Sequence, residues 1–306
     1  MSPNRNTLNT PSLPGLRLPN RAELQEEVSR LRLKKRFSQN FLVDDRVLDA
    51  IVQAAEPATT DTVLEVGAGG GFLTQRLLPV VGALTAVELE WTMIDYLQKK
   101  FSPPEQYPHL TLVEADILKF PMETAIAAEQ FKVVGNLPYA ITSPILFRLV
   151  GELSAADHPL RQRLSRVVLM VQQEVAERIV ATPGQKAYGP LAIASQFWFE
   201  AKLAFRVPAS AFVPRPKVVS AVVTLTPRQA PRVAVPDLSL LSRLVRVAFA
   251  HKRKTLWNNL RHANWLTDDE WQTILTLTAI DRNRRPGDLA IEEFGALCHA
   301  IHSGTG

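Results

Sequence analysis

From Thr62 onward, short runs rich in Val and Leu alternate with stretches of helical periodicity, and few arrangements of a chain satisfy that alternation. Thr62–Val66, Leu84–Val87, Leu110–Val113, Lys132–Val134 and Val167–Val171 read as buried strands, and Arg46–Ala55, Phe72–Leu78, Trp91–Phe101 and Pro144–Gly151 as helices between them. Strand and helix in strict succession require a parallel sheet covered by helices on both faces. Two more strand-like runs, Ala201–Arg206 and Val218–Thr226, lie close together in the chain and are expected to form an antiparallel pair. Pro227, Pro231 and Pro236 then mark a linker, after which Leu238–Leu260, Asp268–Leu277 and Ile291–Ile301 carry helical periodicity only. A single core seldom grows past about 250 residues, so this 306-residue chain is expected to divide. The expected parts are a disordered or helical extension (1–33), an α/β domain (34–229) and a smaller all-α domain (230–306).

No apolar run approaches the roughly 20 residues that span a bilayer, and the first residues lack an apolar signal core, so a soluble cytoplasmic protein is expected. The single cysteine, Cys298, has no disulfide partner and no metal-ligand spacing around it, and no metal is expected. Lys and Arg outnumber Asp and Glu by 35 to 30, a balance that favours polyanionic partners. Part of the excess is local: Arg30, Arg32, Lys34, Lys35 and Arg36 form a run that fits either a solvated face or a nucleic-acid contact.

The segment Val63-Leu64-Glu65-Val66-Gly67-Ala68-Gly69-Gly70-Gly71-Phe72 is a strand entering a glycine turn that opens a helix. Gly67 and Gly69 let backbone approach a ligand, and the helix start offers unpaired N–H groups. Dinucleotide sites space their glycines as G-x-G-x-x-G. Here position 72 is Phe and the acid Glu65 precedes the turn, a variant that resembles the first motif of the class I methyltransferases. Glu88, closing the next strand, falls where a carboxylate accepts ribose hydroxyls, and Asp116, after the third, falls where one accepts from an adenine amine.

The fourth strand runs into Gly135-Asn136-Leu137-Pro138-Tyr139. An amine conjugated to a purine is a poor nucleophile because its lone pair is delocalised. Acceptors aimed at its hydrogens favour pyramidalisation and stabilise the charge that develops on methyl transfer. The Asn136 side-chain oxygen and the Leu137 carbonyl are suited to this, with Tyr139 stacking on a base drawn into the pocket.

Taken together with Arg36-Phe37-Ser38-Gln39-Asn40-Phe41-Leu42, Lys186-Ala187-Tyr188-Gly189, Phe212-Val213-Pro214-Arg215-Pro216-Lys217-Val218 and Lys252-Arg253-Lys254-Thr255-Leu256-Trp257, these motifs resemble the ribosomal RNA adenine dimethyltransferase family from about Lys34 to the C-terminus. Its bacterial small-subunit branch, which dimethylates two adjacent adenosines near the 3′ end of 16S rRNA, is the most similar. The resemblance implies a Rossmann-like class I sheet with a helical C-terminal domain, S-adenosylmethionine as cofactor, and a monomer acting on 16S rRNA in the small subunit or its precursor. It also implies that Asn40, Leu42, Gly67, Gly69, Glu88, Asp116 and Asn136 hold the cofactor and that Leu137, Pro138, Tyr139 and Phe212 surround the target base. Lys252, Arg253 and Lys254, expected on a helix, join Lys34, Lys35 and Arg36 as RNA contacts. From its own residues alone, Phe212 fits a core anchor equally well. Ser38, Ala68 and Pro190 depart from the family pattern, Pro190 standing where Arg is frequent. The alternatives are a 23S rRNA adenine methyltransferase of the resistance type and a non-catalytic assembly factor. DNA adenine and protein glutamine methyltransferases usually carry Pro at the position of Leu137.

Overall fold

A computed structural model describes residues 17–31, 40–138, 141–263 and 265–304. The chain forms α1 (Arg21–Arg30), β1 (Phe41–Leu42), α2 (Asp45–Ala54), β2 (Thr62–Val66), α3 (Phe72–Leu77), β3 (Ala83–Glu88), α4 (Trp91–Lys100), β4 (Leu110–Glu114), α5 (Met122–Ala125), β5 (Phe131–Asn136), α6 (Thr142–Val150) and α7 (Pro159–Arg163). There follow β6 (Leu164–Gln172), α8 (Gln173–Val180), α9 (Pro190–Trp198), β7 (Phe199–Val207), β8 (Phe212–Val213), β9 (Ser220–Pro227), α10 (Leu238–Ala248), α11 (Leu256–Leu260), α12 (Asp268–Leu277) and α13 (Ile291–Gly304).

Seven strands form one sheet in the order β4-β3-β2-β5-β6-β9-β7. The first five are parallel, and β9 is antiparallel to both β6 and β7, as the two late strand-like runs required. Neighbouring side chains alternate between two cores: Val63, Val134 and Val168 face one side with α1 to α4, while Leu64, Val133 and Leu169 face the other with α6, α8, α9 and the C-terminal helices. Both faces are largely dry over β2, β3, β5, β6 and β9, which is why these strands carry nearly continuous apolar sequence, while the edge strands β4 and β7 are partly exposed. Leu241, Leu244, Trp271, Phe294 and Cys298 belong to the second core, so the helical segment packs onto the sheet side rather than standing away from it.

Chain order reverses between β2 and β5. From β2 the chain steps outward through β3 to β4, then returns to β5 on the other side, which leaves a crevice at the carboxyl ends of β2 and β5.

One expectation is corrected. The single helical stretch over Leu238–Leu260 is broken, because α10 stops at Ala248 and Thr255 caps a new helix through the Asn258 N–H. The buried Asn259 amide pins the intervening turn by accepting from the His251 N–H and donating to the carbonyls of His251 and Thr255. Side-chain hydrogen bonds of this kind compete with helix continuation. Lys252, Arg253 and Lys254 therefore project from that turn, all exposed, and lie on no helix. Within the extension expected over 1–33, Arg21–Arg30 takes the helical alternative. Asn20 and Glu23 form a capping box on α1, and Leu24 and Val28 are buried against the sheet core. Pro190, which stands where Arg is frequent in the family, is the first residue of α9, where its fixed φ and missing N–H cost nothing. The run Lys34, Lys35, Arg36 and the departure at Ser38 lie outside the described residues.

Candidate active site

The crevice is a cleft of about 610 Å³ lined by Asn40, Leu42, Gly67, Gly69, Glu88 and Asp116, and also by Asn136, Leu137, Pro138 and Phe212. Every residue assigned to cofactor or target from the sequence lines this one space, except Tyr139, which lies outside the described residues. Its volume falls within the range of about 300–1,000 Å³ usual for small-molecule sites.

The floor is the turn from β2 to α3. Gly67 (φ 75°) and Gly71 (φ 71°) take left-handed backbone, which side chains with a Cβ rarely adopt. At Gly71 a Cβ would also come within 2.7 Å of Leu97. Gly67 N–H donates to Val87 O (2.9 Å) and Gly71 N–H to Ala68 O (2.8 Å), so the turn is tied both to β3 and to itself.

Glu88 is 7% exposed at the end of β3. Its Oε2 accepts from Gly69 N–H (2.8 Å), and its Oε1 from the N–H groups of Leu89 (2.9 Å) and Glu90 (3.0 Å). A carboxylate has about four lone-pair sites. Three are occupied here, so a ligand diol has about one free acceptor direction unless a backbone donor shares its oxygen. Asp116 stands in the loop after β4, its Oδ1 accepting from Leu118 N–H (3.0 Å) and its carbonyl from Lys119 and Phe120. Both acids are oriented by backbone donors, and among the described residues neither carboxylate forms an ion pair.

The fourth wall follows β5. A Cβ at Gly135 would meet Val66 O at 2.8 Å, so only glycine lets β5 lie against β2 at this level. Asn136 is the last strand residue, paired with Met170, and Leu137 N–H continues the ladder to Met170 O (3.1 Å). Pro138 O accepts from Ile141 N–H as the chain turns into α6.

Sequence order gave no hint of the β1–β8 pair. Leu42 pairs with Phe212 and Phe41 with Val213, and Val43 N–H donates to Ala211 O (2.8 Å), bringing two distant segments to one side of the cleft. Phe212 is 1% exposed and belongs to the first core while lining the cleft, so it packs as a core anchor in this conformation. Also unforeseen as wall residues are Leu89, Ile117 and Ile141, the first two each directly following one of the acids; that apolar neighbour was the available signal.

Beneath the turn lies Glu65, 1% exposed, accepting a hydrogen bond from the Thr74 hydroxyl (2.6 Å). Burial pushes its pKa up to about 8. The negative charge of Glu88 adds to the shift, and the Thr74 hydrogen bond and Lys100 oppose it.

Residues 30–301 match the family described as ribosomal RNA adenine dimethylase. The chain belongs to that family. A relative from Syntrophotalea carbinolica, named ribosomal RNA small subunit methyltransferase A, is 42% identical over 270 residues, which cover 88% of this chain and 97% of the relative. One of the same name from Lactococcus lactis is 40% identical over 274 residues, 88% of this chain and 90% of the relative. Among solved structures, a dimethyladenosine transferase from Plasmodium falciparum superposes with a TM-score of 0.69 at 27% identity, covering 85% of this chain and 96% of that one. The 23S rRNA methyltransferase ErmE has the same fold, with a TM-score of 0.68 at 23% identity over 86% of this chain and all of its own. The family assignment makes the chain a methyltransferase with a Rossmann-like sheet. Among the described residues no helix is long and apolar enough to cross a membrane.

Proposed function

We propose that the cleft binds S-adenosylmethionine and that the protein dimethylates N6 of two adjacent adenosines in the 3′-terminal hairpin of 16S rRNA, acting as a cytoplasmic monomer on the small subunit or its precursor. The observation that carries this reading is the convergence of Glu88, Asp116 and Asn136, from three strand ends, on one cleft. Carboxylates suited to ribose hydroxyls and an adenine amine stand there beside an amide suited to a second, reacting amine. The relatives named small subunit methyltransferase A support the choice of RNA.

The residues fit such a cofactor, since glycine backbone lines the floor, the acids are prepositioned by backbone donors, and Leu42 and Ile117 provide apolar wall. When bound, S-adenosylmethionine supplies an electrophilic methyl group. The Asn136 side-chain oxygen and the Leu137 carbonyl accept from the target amine and stabilise the charge that grows on it; Tyr139 and Phe212 hold the base. No strong general base is needed, because the amine becomes acidic only once it is alkylated. Residues 34–229 serve as the methyltransferase domain and 230–306 as an RNA-binding domain. Labelled cofactor with purified protein on undermethylated small subunits, naked 16S RNA and 23S RNA tests the assignment; incorporation into 23S RNA alone would overturn it.

The same pocket is expected to add two methyl groups to each base. After the first transfer the amine has one hydrogen left and satisfies only one of its two acceptors, so the second step needs tolerance rather than a double clamp. Mass spectrometry of the product at saturating cofactor and long incubation should find N6,N6-dimethyladenine. An end point of monomethyladenine alone would contradict this.

Lys252, Arg253 and Lys254, exposed on their pinned turn, are read as phosphate contacts along with Lys34, Lys35 and Arg36. Neutralising the three residues of the turn should weaken RNA binding and reduce the slope of log affinity against log salt by up to about 3, roughly one unit for each phosphate that is no longer neutralised. An unchanged slope in a folded variant would reassign the turn to a solvated surface.

A further inference from the structure

Lys100, at the end of α4, is directed inward under the glycine turn. Its side chain is 10% exposed, and its Nζ donates to Gly70 O (2.8 Å) and to Glu27 Oε1 (2.6 Å) while standing 4.6 Å from the centroid of the Phe72 ring. Gly70 separates Gly69, whose N–H holds Glu88, from Gly71, which opens α3. The turn is therefore anchored on both sides of one flexible peptide, by the Ala68 carbonyl and by the Lys100 ammonium.

Glu27 comes from α1, 73 residues earlier in the chain, and it also accepts from the Tyr96 hydroxyl. Helix α1 is fastened independently of this pair. Leu24 and Val28 are buried, Arg21 bridges to Asp44 and to Ser210 O, and Arg76 donates to Pro19 O. Burial lowers the Lys100 pKa, and the hydrogen bond and charge of Glu27 oppose that shift. A buried ammonium left without its carboxylate would be costly, so Glu27 keeps the cation charged where Gly70 needs it.

We propose that Lys100 is a positioning residue for the cofactor turn and that Glu27 of the N-terminal helix holds it there, an inference that rests on reading the cleft as an S-adenosylmethionine site. The Glu27–Lys100–Gly70 relay makes the N-terminal helix part of the cofactor site although it lies outside the cleft. Preorganising three glycines before binding removes an ordering cost that binding would otherwise meet.

Calorimetric titration of the full chain with S-adenosylhomocysteine tests the relay. Lys100→Met should weaken binding about tenfold, the value of one charge-assisted hydrogen bond of about 1.4 kcal/mol. It should raise the KM for S-adenosylmethionine by a similar factor and leave kcat within about twofold, with Lys100→Arg recovering most of the affinity. Glu27→Gln should weaken binding about threefold and serves as the test if Lys100→Met does not fold. Wild-type affinity in folded variants would overturn the proposal, as would a lowered melting temperature or lowered kcat with KM unchanged. A wild-type protein that fails to bind S-adenosylhomocysteine would instead overturn the cofactor reading and this inference with it.

Discussion

Asn136→Ala is expected to lower turnover by about 10²–10³ while keeping cofactor affinity within about tenfold, the cost usual for one preorganised partner of a transition state. The substitution isolates the side chain because the backbone at this position is held by other groups. Asn136 sits in the β5–β6 ladder opposite Met170, Leu137 N–H bonds Met170 O, and the neighbouring Gly135 fixes the approach to β2. None of these interactions uses the Asn136 amide. The loss therefore falls on the step in which the target amine acquires charge, and single-turnover rates together with S-adenosylhomocysteine affinity separate that step from binding. Near-normal turnover would leave Asn136 a purely structural residue.

The second large effect is on stability against pH. Glu65 has a folded-state pKa of about 8 against an ordinary value of 4.5, so between these values the folded state holds a proton that the unfolded state releases. Its contribution to stability is fully present below about pH 4.5 and is lost as pH rises through 8. At about 1.36 kcal/mol per pH unit the loss between pH 5 and pH 8 is on the order of 4 kcal/mol. Because Glu65 is fully enclosed, solvent screening does little to reduce this. Glu65→Gln keeps an acceptor for Thr74 without the titration. Urea unfolding at pH 5.5, 7 and 8.5 should show the wild type losing stability relative to Glu65→Gln as pH increases. Parallel curves for the two proteins would mean that Glu65 titrates normally.

Legibility in the sequence followed the range of the interaction. Strands β2, β3, β5 and β6 appear as apolar runs because both of their faces are largely buried, and β7 and β9 appear as a pair because only a short segment separates them. Helix α9 carries no comparable period: it is enclosed along nearly its whole length, so its sequence shows no polar face to reveal a helix. The break at Lys252–Lys254 was hidden for a related reason. The apolar spacing continues across the turn from α10 to α11, and only the buried Asn259 amide interrupts the helix.

By itself the sequence determined the alternating sheet, the glycine turn and the placing of Glu88, Asp116 and Asn136 at strand ends. Each depends on period or on backbone geometry within a few residues. Tertiary structure decided that Leu42 lies against Phe212, that Phe212 is buried, and that Glu27 holds Lys100 beneath Gly70. Those pairings join segments far apart in the chain, and neither segment carries a periodic mark of its partner. They exist because β1 and α1 pack into the core on the sheet face that also carries α2 to α4, a surface that forms only once the strands are assembled.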